Sequence, residues 1–239
     1  DLHARQTLTS RQFRPRCQRR RQLRRAETPK YRGLQSCNRN GAPLNGSVHD
    51  VAVIDIAGFV TDLKSHAVDH GFHVHDERHF VETYSLRQLW EVDLHPEEAC
   101  SGPIDLHMSL EVDPRILLGF EDVVVKLDDP DDEPPGDFQF QLVFTWTLPP
   151  LTRPPDLLVL ATELAGVGGI DLPIEVSAIN SFASVTDAPE RSLSLVARVP
   201  VPLADVYAVR DEGFCTILDK CREVSLDLLA RAPLWIDID

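Results

Sequence analysis

Five of the nine histidines in this 239-residue chain, His66, His70, His73, His75 and His79, fall within 14 residues. Imidazole is a borderline-soft nitrogen donor, and so dense a group is where a transition-metal ion would be sought. On a helix, His66 and His70 stand four residues apart and can converge on one ion. On a strand, His73 and His75 share a face. Asp69, Asp76 and Glu77 offer oxygen donors close by. The metal-ligating candidates are therefore His66, His70, His73 and His75, and the chemistry they would serve is that of a metal-dependent enzyme. Two observations weigh against it. The helical pair reads HAVDH and lacks the glutamate that follows the first histidine of a zinc-protease HExxH, so that mechanism has no general base. All five histidines also fall on polar faces or in a turn, where solvated imidazoles need no ligand.

Other chemistries find less support. The chain has no Gly-x-Ser-x-Gly and no P-loop, and no serine or cysteine has a recognisable base partner. Gly166, Gly168 and Gly169 follow a helical stretch and lead into Pro173. A dinucleotide fingerprint follows a strand and opens a helix, so these glycines read as a helix cap and turn. Residues 128–137, DDPDDEPPGD, are rich in acids, but three prolines break the alternate ligand spacing of a calcium loop. A solvated hairpin connection is the expectation there. No catalytic residue and no cofactor are expected.

The elements that would position these residues alternate between two periods. Ile56, Phe59, Val60, Leu63 and Ala67 form one helical stripe over about 54–70, with Asp55 as N-cap and Gly71 as terminator. Strand alternation follows at Phe72 and Val74, at Trp90, Val92 and Leu94, and at Ile104, Leu106, Met108, Leu110 and Val112. It returns at Phe138, Phe140, Leu142, Phe144, Trp146 and Leu148, where the apolar face is aromatic. A short helix at Leu157–Ala165 comes next, and then strands at Ile174–Ala178, continuing through Ser181–Val185, and at Leu193–Val201. Phe214, Ile217, Leu218, Cys221, Val224, Leu228 and Leu229 lie on the stripe of a final helix, which makes Cys221 a buried structural thiol. The fold class is α+β, with an antiparallel sheet and helices packed on one face in a single domain over 50–239. The aromatic sheet face suits either a docked peptide or a homodimer interface; burial under the helices is the plainer expectation and is preferred.

Charge divides the chain. Residues 1–50 hold 12 Lys and Arg against 3 acids, whereas residues 51–239 hold 12 against 35. Residues 1–49 are expected to be a disordered basic segment. The sole methionine is Met108, and the preferred reading of the segment is a non-native leader ahead of a start near Val48 or Val51. The alternatives are an arm that contacts nucleic-acid phosphates and a transit peptide. The acidic part should repel nucleic acid. No stretch approaches the roughly 18 unbroken apolar residues of a membrane span. The five cysteines are odd in number and form no Cys-x-x-Cys, which points to reduced thiols and a cytoplasmic location.

The order of elements is helix, three or more strands, helix, strands, helix. Its local landmarks are HGFHV at 70–74 after the first helix, Asn180 after the middle one, and SLSLVARVPVPLADV at 192–206 leading into the last. In this order the chain resembles the YbjN-like and type III secretion chaperone-like α+β domains, from which its extra strands and proline-rich 149–155 depart. The resemblance implies a dimer that binds partners without catalysis. The leading expectation is thus a non-enzymatic, chaperone-like module for a protein or peptide, acting as a homo-oligomer. The alternatives are a metal-dependent enzyme built on His66–His79 and a regulator with a nucleic-acid-contacting basic arm.

Overall fold

The computed structural model describes residues 54–100, 102–127, 132–182, 190–208 and 212–236. The chain divides between Val48 and His49, and every described residue lies in the second unit. The basic segment 1–49, residues 128–131 of the acidic connection and the expected strand continuation at 183–185 lie outside the described residues.

Six strands form one antiparallel sheet: β1 (Phe72–Val81), β2 (Gln88–Pro96), β3 (Asp105–Val112), β4 (Gln139–Thr147), β5 (Ile174–Ser181) and β6 (Glu190–Pro202). Their order is β1-β2-β3-β4-β6-β5, so β1 and β5 are the edges. The helices are α1 (Ile56–Asp69), α2 (Pro114–Val124), α3 (Leu157–Gly168), the short α4 (Leu203–Tyr207) and α5 (Glu212–Trp235). The fold is α+β, as the alternating and helical stretches imply.

Period-two alternation in β3, β4 and β6 puts one set of side chains under the helices. Leu106, Met108, Leu110, Phe140, Leu142, Phe144, Trp146, Leu195 and Val201 are almost wholly buried. The aromatic face of β4 is therefore core. Val60 and Leu63 of α1 meet Trp90, Val92, Met108 and Leu142 of the sheet, while the Trp146 indole donates 2.9 Å to the Ser225 hydroxyl of α5. Alternate residues, among them His107, Ser109, Thr145, Val196 and Arg198, point to the opposite face and keep part of their surface exposed. No helix among the described residues is long and apolar enough to cross a membrane.

Local signals explain the helix ends. The Asp55 carboxylate accepts from the Gly58 N–H at 2.9 Å, and Gly71, at φ +80°, turns the chain out of α1 into β1, a conformation that glycine alone adopts without a steric cost. Helix α3 runs through Gly166 to Gly168 and is capped by Gly169 at φ +68°, three residues beyond the expected stop. One element departs from expectation: β3 and β4 are joined through α2, not by a simple solvated hairpin. Asp113 caps it and Pro114 opens it, a pairing that favours a helix start. Its one fully buried side chain, Phe120, packs against Phe138 and Tyr207 at ring separations of 5.9 and 6.1 Å.

Candidate metal centre

Three donor atoms, one each from His73, His75 and Cys100, lie within 4.8 Å of one another. His73 pairs with His95 across β1 and β2, opposite in pleat to the core residues Phe72 and Leu94, so both imidazoles stand on the sheet face that the helices leave open. A bulge between Val74 and Asp76 gives His75 no cross-strand partner. Bulges re-aim side chains at sheet edges. Here the bulge shifts the alternation, so that Asp76 and Arg78, opposite Asp93 and Glu91, also face the open side.

Cys100 comes from the 3-10 turn Glu97–Ala99 that ends β2. Two contacts pin that turn beside β1. The Glu97 N–H donates 3.0 Å to the Gly71 carbonyl, and Arg222 of α5 forms an ion pair with Glu98. His73 Nδ1 consequently lies 2.8 Å from Cys100 Sγ, and its Nε2 lies 3.7 Å from the Glu97 carboxylate. One ring nitrogen towards the shared centre and the other towards a carboxylate is the arrangement of a metal-bound histidine with its outer partner.

The His75 ring stands edge-on to that of His95, 4.8 Å away, and 6.4 Å from that of His73. Burial first, then the charges of His95 and His73, hold its pKa below the ordinary value of 6.5. The neutral form thus favoured is the one that binds metal. His95 is not a fourth donor. Its Nε2 lies 2.6 Å from an Asp105 oxygen and its Nδ1 lies 3.4 Å from the Ala99 carbonyl. The bond to Asp105 raises the His95 pKa, and the bond to His95 lowers that of Asp105. The His95–Asp105 pair thus borders the centre without supplying a ligand to it. It supports one donor through the ring of His75 and another through the residue before Cys100.

The remaining candidates go elsewhere. His66 Nδ1 lies 3.5 Å from Cys215 Sγ on α5, and His70 Nδ1 lies 2.6 Å from Asp219 on the same helix. His79 stacks on Trp90 at 3.7 Å. Asp76 pairs with Arg78 at 3.6 Å, and Glu77 pairs with Lys64. The histidine run thus separates into a helical pair, a strand pair and a stacked ring. Sequence reasoning missed Cys100, His95 and Asp105, since none lies in the run and their meeting depends on the β1–β2 register. Cys221 is fully buried, and burial pushes its thiol pKa well above the ordinary value, which leaves it no part in this chemistry.

No family model, curated protein or solved structure matches the chain.

Proposed function

We propose that this protein binds a divalent transition-metal ion, Zn²⁺ by preference, through His73, His75 and Cys100. The observation that carries the reading is the convergence of two imidazoles and a thiol from separate elements within 4.8 Å. Two nitrogens and a sulfur form a donor set suited to zinc. A tetrahedral ion spaces such nitrogen and sulfur atoms about 3.5 Å apart, so its entry parts His73 Nδ1 and Cys100 Sγ by less than about 1 Å. Three protein donors leave the fourth position to water or another small ligand. Thiolate and two neutral imidazoles together leave one positive charge on the bound ion.

Co²⁺ titration of the full chain, followed by absorption, tests the reading. The expected result is a thiolate-to-cobalt band and a bound equivalent that Cys100→Ser removes, with binding weakened by His75→Ala. Unchanged stoichiometry and spectrum in Cys100→Ser would overturn it.

A further inference from the structure

Two more histidines of the same segment, His66 and His70, lie outside the first centre, and each meets a donor on α5. His66 lies in the last turn of α1 and His70 is its C-cap, one turn on, and Cys215 and Asp219 are one turn apart on α5. The helices pack side by side, with Phe59 edge-on to Phe214 at 5.5 Å. Across their seam, His66 Nδ1 faces Cys215 Sγ at 3.5 Å and His70 Nδ1 faces Asp219 Oδ1 at 2.6 Å.

We propose that this seam is a second, separate transition-metal site, with His66, His70, Cys215 and Asp219 as its four ligands. Residues four apart on a helix are neighbours on its surface, so each pair stands one turn from the other, and an ion that takes all four must turn their side chains towards one point, unlike the three donors of the sheet centre, which already lie within 4.8 Å. Across the helices the 3.5 Å pair already has the spacing of two ligands on one tetrahedral ion, and the 2.6 Å pair needs to open by about 1 Å. Two imidazoles, one thiolate and one carboxylate form a closed zinc set, with the ligands' two negative charges balancing the ion's two positive ones. His70 keeps about a fifth of its side chain exposed and Asp219 more than half, so an ion has a route in. Of the three cysteines among the described residues, Cys221 is sealed in the core and the other two each rest against a histidine of the 66–75 segment. That segment would serve both sites, giving a helical pair to one and a strand pair to the other.

The seam and the sheet centre fail or hold independently, because each has its own cysteine. In the full chain titrated with Co²⁺ alone, Cys215→Ser is expected to remove one equivalent and its thiolate band while leaving the equivalent that Cys100→Ser removes. Asp219→Asn should weaken the seam equivalent only. Retention of the full wild-type stoichiometry and spectrum by Cys215→Ser would overturn the seam site whatever Cys100→Ser does. Alkylation of the unmodified chain, read at each cysteine by peptide mass, needs no variant to fold: Zn²⁺ should slow modification of Cys215, and an unchanged rate at Cys215 would also overturn the proposal.

Discussion

His95 has a different task from the histidines around it. Both of its nitrogens are engaged, by Asp105 and by the Ala99 carbonyl, and its ring edge meets His75. A residue that fixes ligands without touching the ion acts through their geometry, and loss of such partners costs about 10–100-fold in metal affinity. His95→Ala is therefore expected to weaken Co²⁺ binding at the sheet centre within that range. His95→Asn, whose side-chain amide takes the place of Nδ1 and can still donate to the Ala99 carbonyl, should recover part of the loss. Equal affinities for wild type and His95→Ala would remove the positioning role, and an affinity in His95→Asn no better than in His95→Ala would show that the Ala99 contact is not its basis. Little of this was legible in the sequence. HGFHVH declares two imidazoles on one strand face, but nothing local to PEEAC says that Cys100 will fold back against them. That meeting needs the register of His73 on His95 and the latch between Glu97 and Gly71.

The same division holds for the elements. Helix α1, β3 and β4 are plain in their periodicity because each buries one whole face. Helix α2 is not, since a single side chain, Phe120, is fully buried and the adjacent acidic, proline-rich stretch resembles a loop. What starts α2 is a local cap, the Asp113 carboxylate accepting from the Arg115 N–H at 2.9 Å, and the distant Arg87 pairs with the same carboxylate at 3.0 Å. The N–H bond first, and then the Arg87 charge, hold the Asp113 pKa below its ordinary 3.8. A carboxylate with a lowered folded-state pKa stabilises the fold above its unfolded-state value, and that contribution is lost as pH falls through the folded-state value. Asp113→Ala should thus lower the melting temperature at neutral pH, with Asp113→Asn closer to wild type because asparagine also caps. The gap between wild type and Asp113→Ala should narrow as pH drops below 3.8. A gap independent of pH in thermal melts would mean that the charge contributes nothing to the cap.

The described residues form two layers, helices over one face of a six-stranded sheet. The reversal from basic to acidic near residue 50 coincides with the division of the chain between Val48 and His49. The layers are joined across the middle by one buried polar link. Ser225 is the only fully buried polar residue among those described; its hydroxyl accepts from the Trp146 indole at 2.9 Å and donates to the Cys221 carbonyl at 2.8 Å. No sequence pattern announces such a pair, because the two residues are 79 positions apart and serine on an apolar helical stripe looks like a simple interruption. Removing the hydroxyl leaves an indole N–H buried without a partner, at a cost of about 1–3 kcal/mol. Ser225→Ala should lower unfolding free energy by that amount in urea with an unchanged m-value. Trp146→Phe alone also loses packing, so the double variant decides the matter: with both polar groups gone, the combined loss should fall short of the sum by about 1 kcal/mol. Strict additivity would show that sheet and helix are held by apolar packing alone, and that the buried hydrogen bond adds nothing to the joint between the layers.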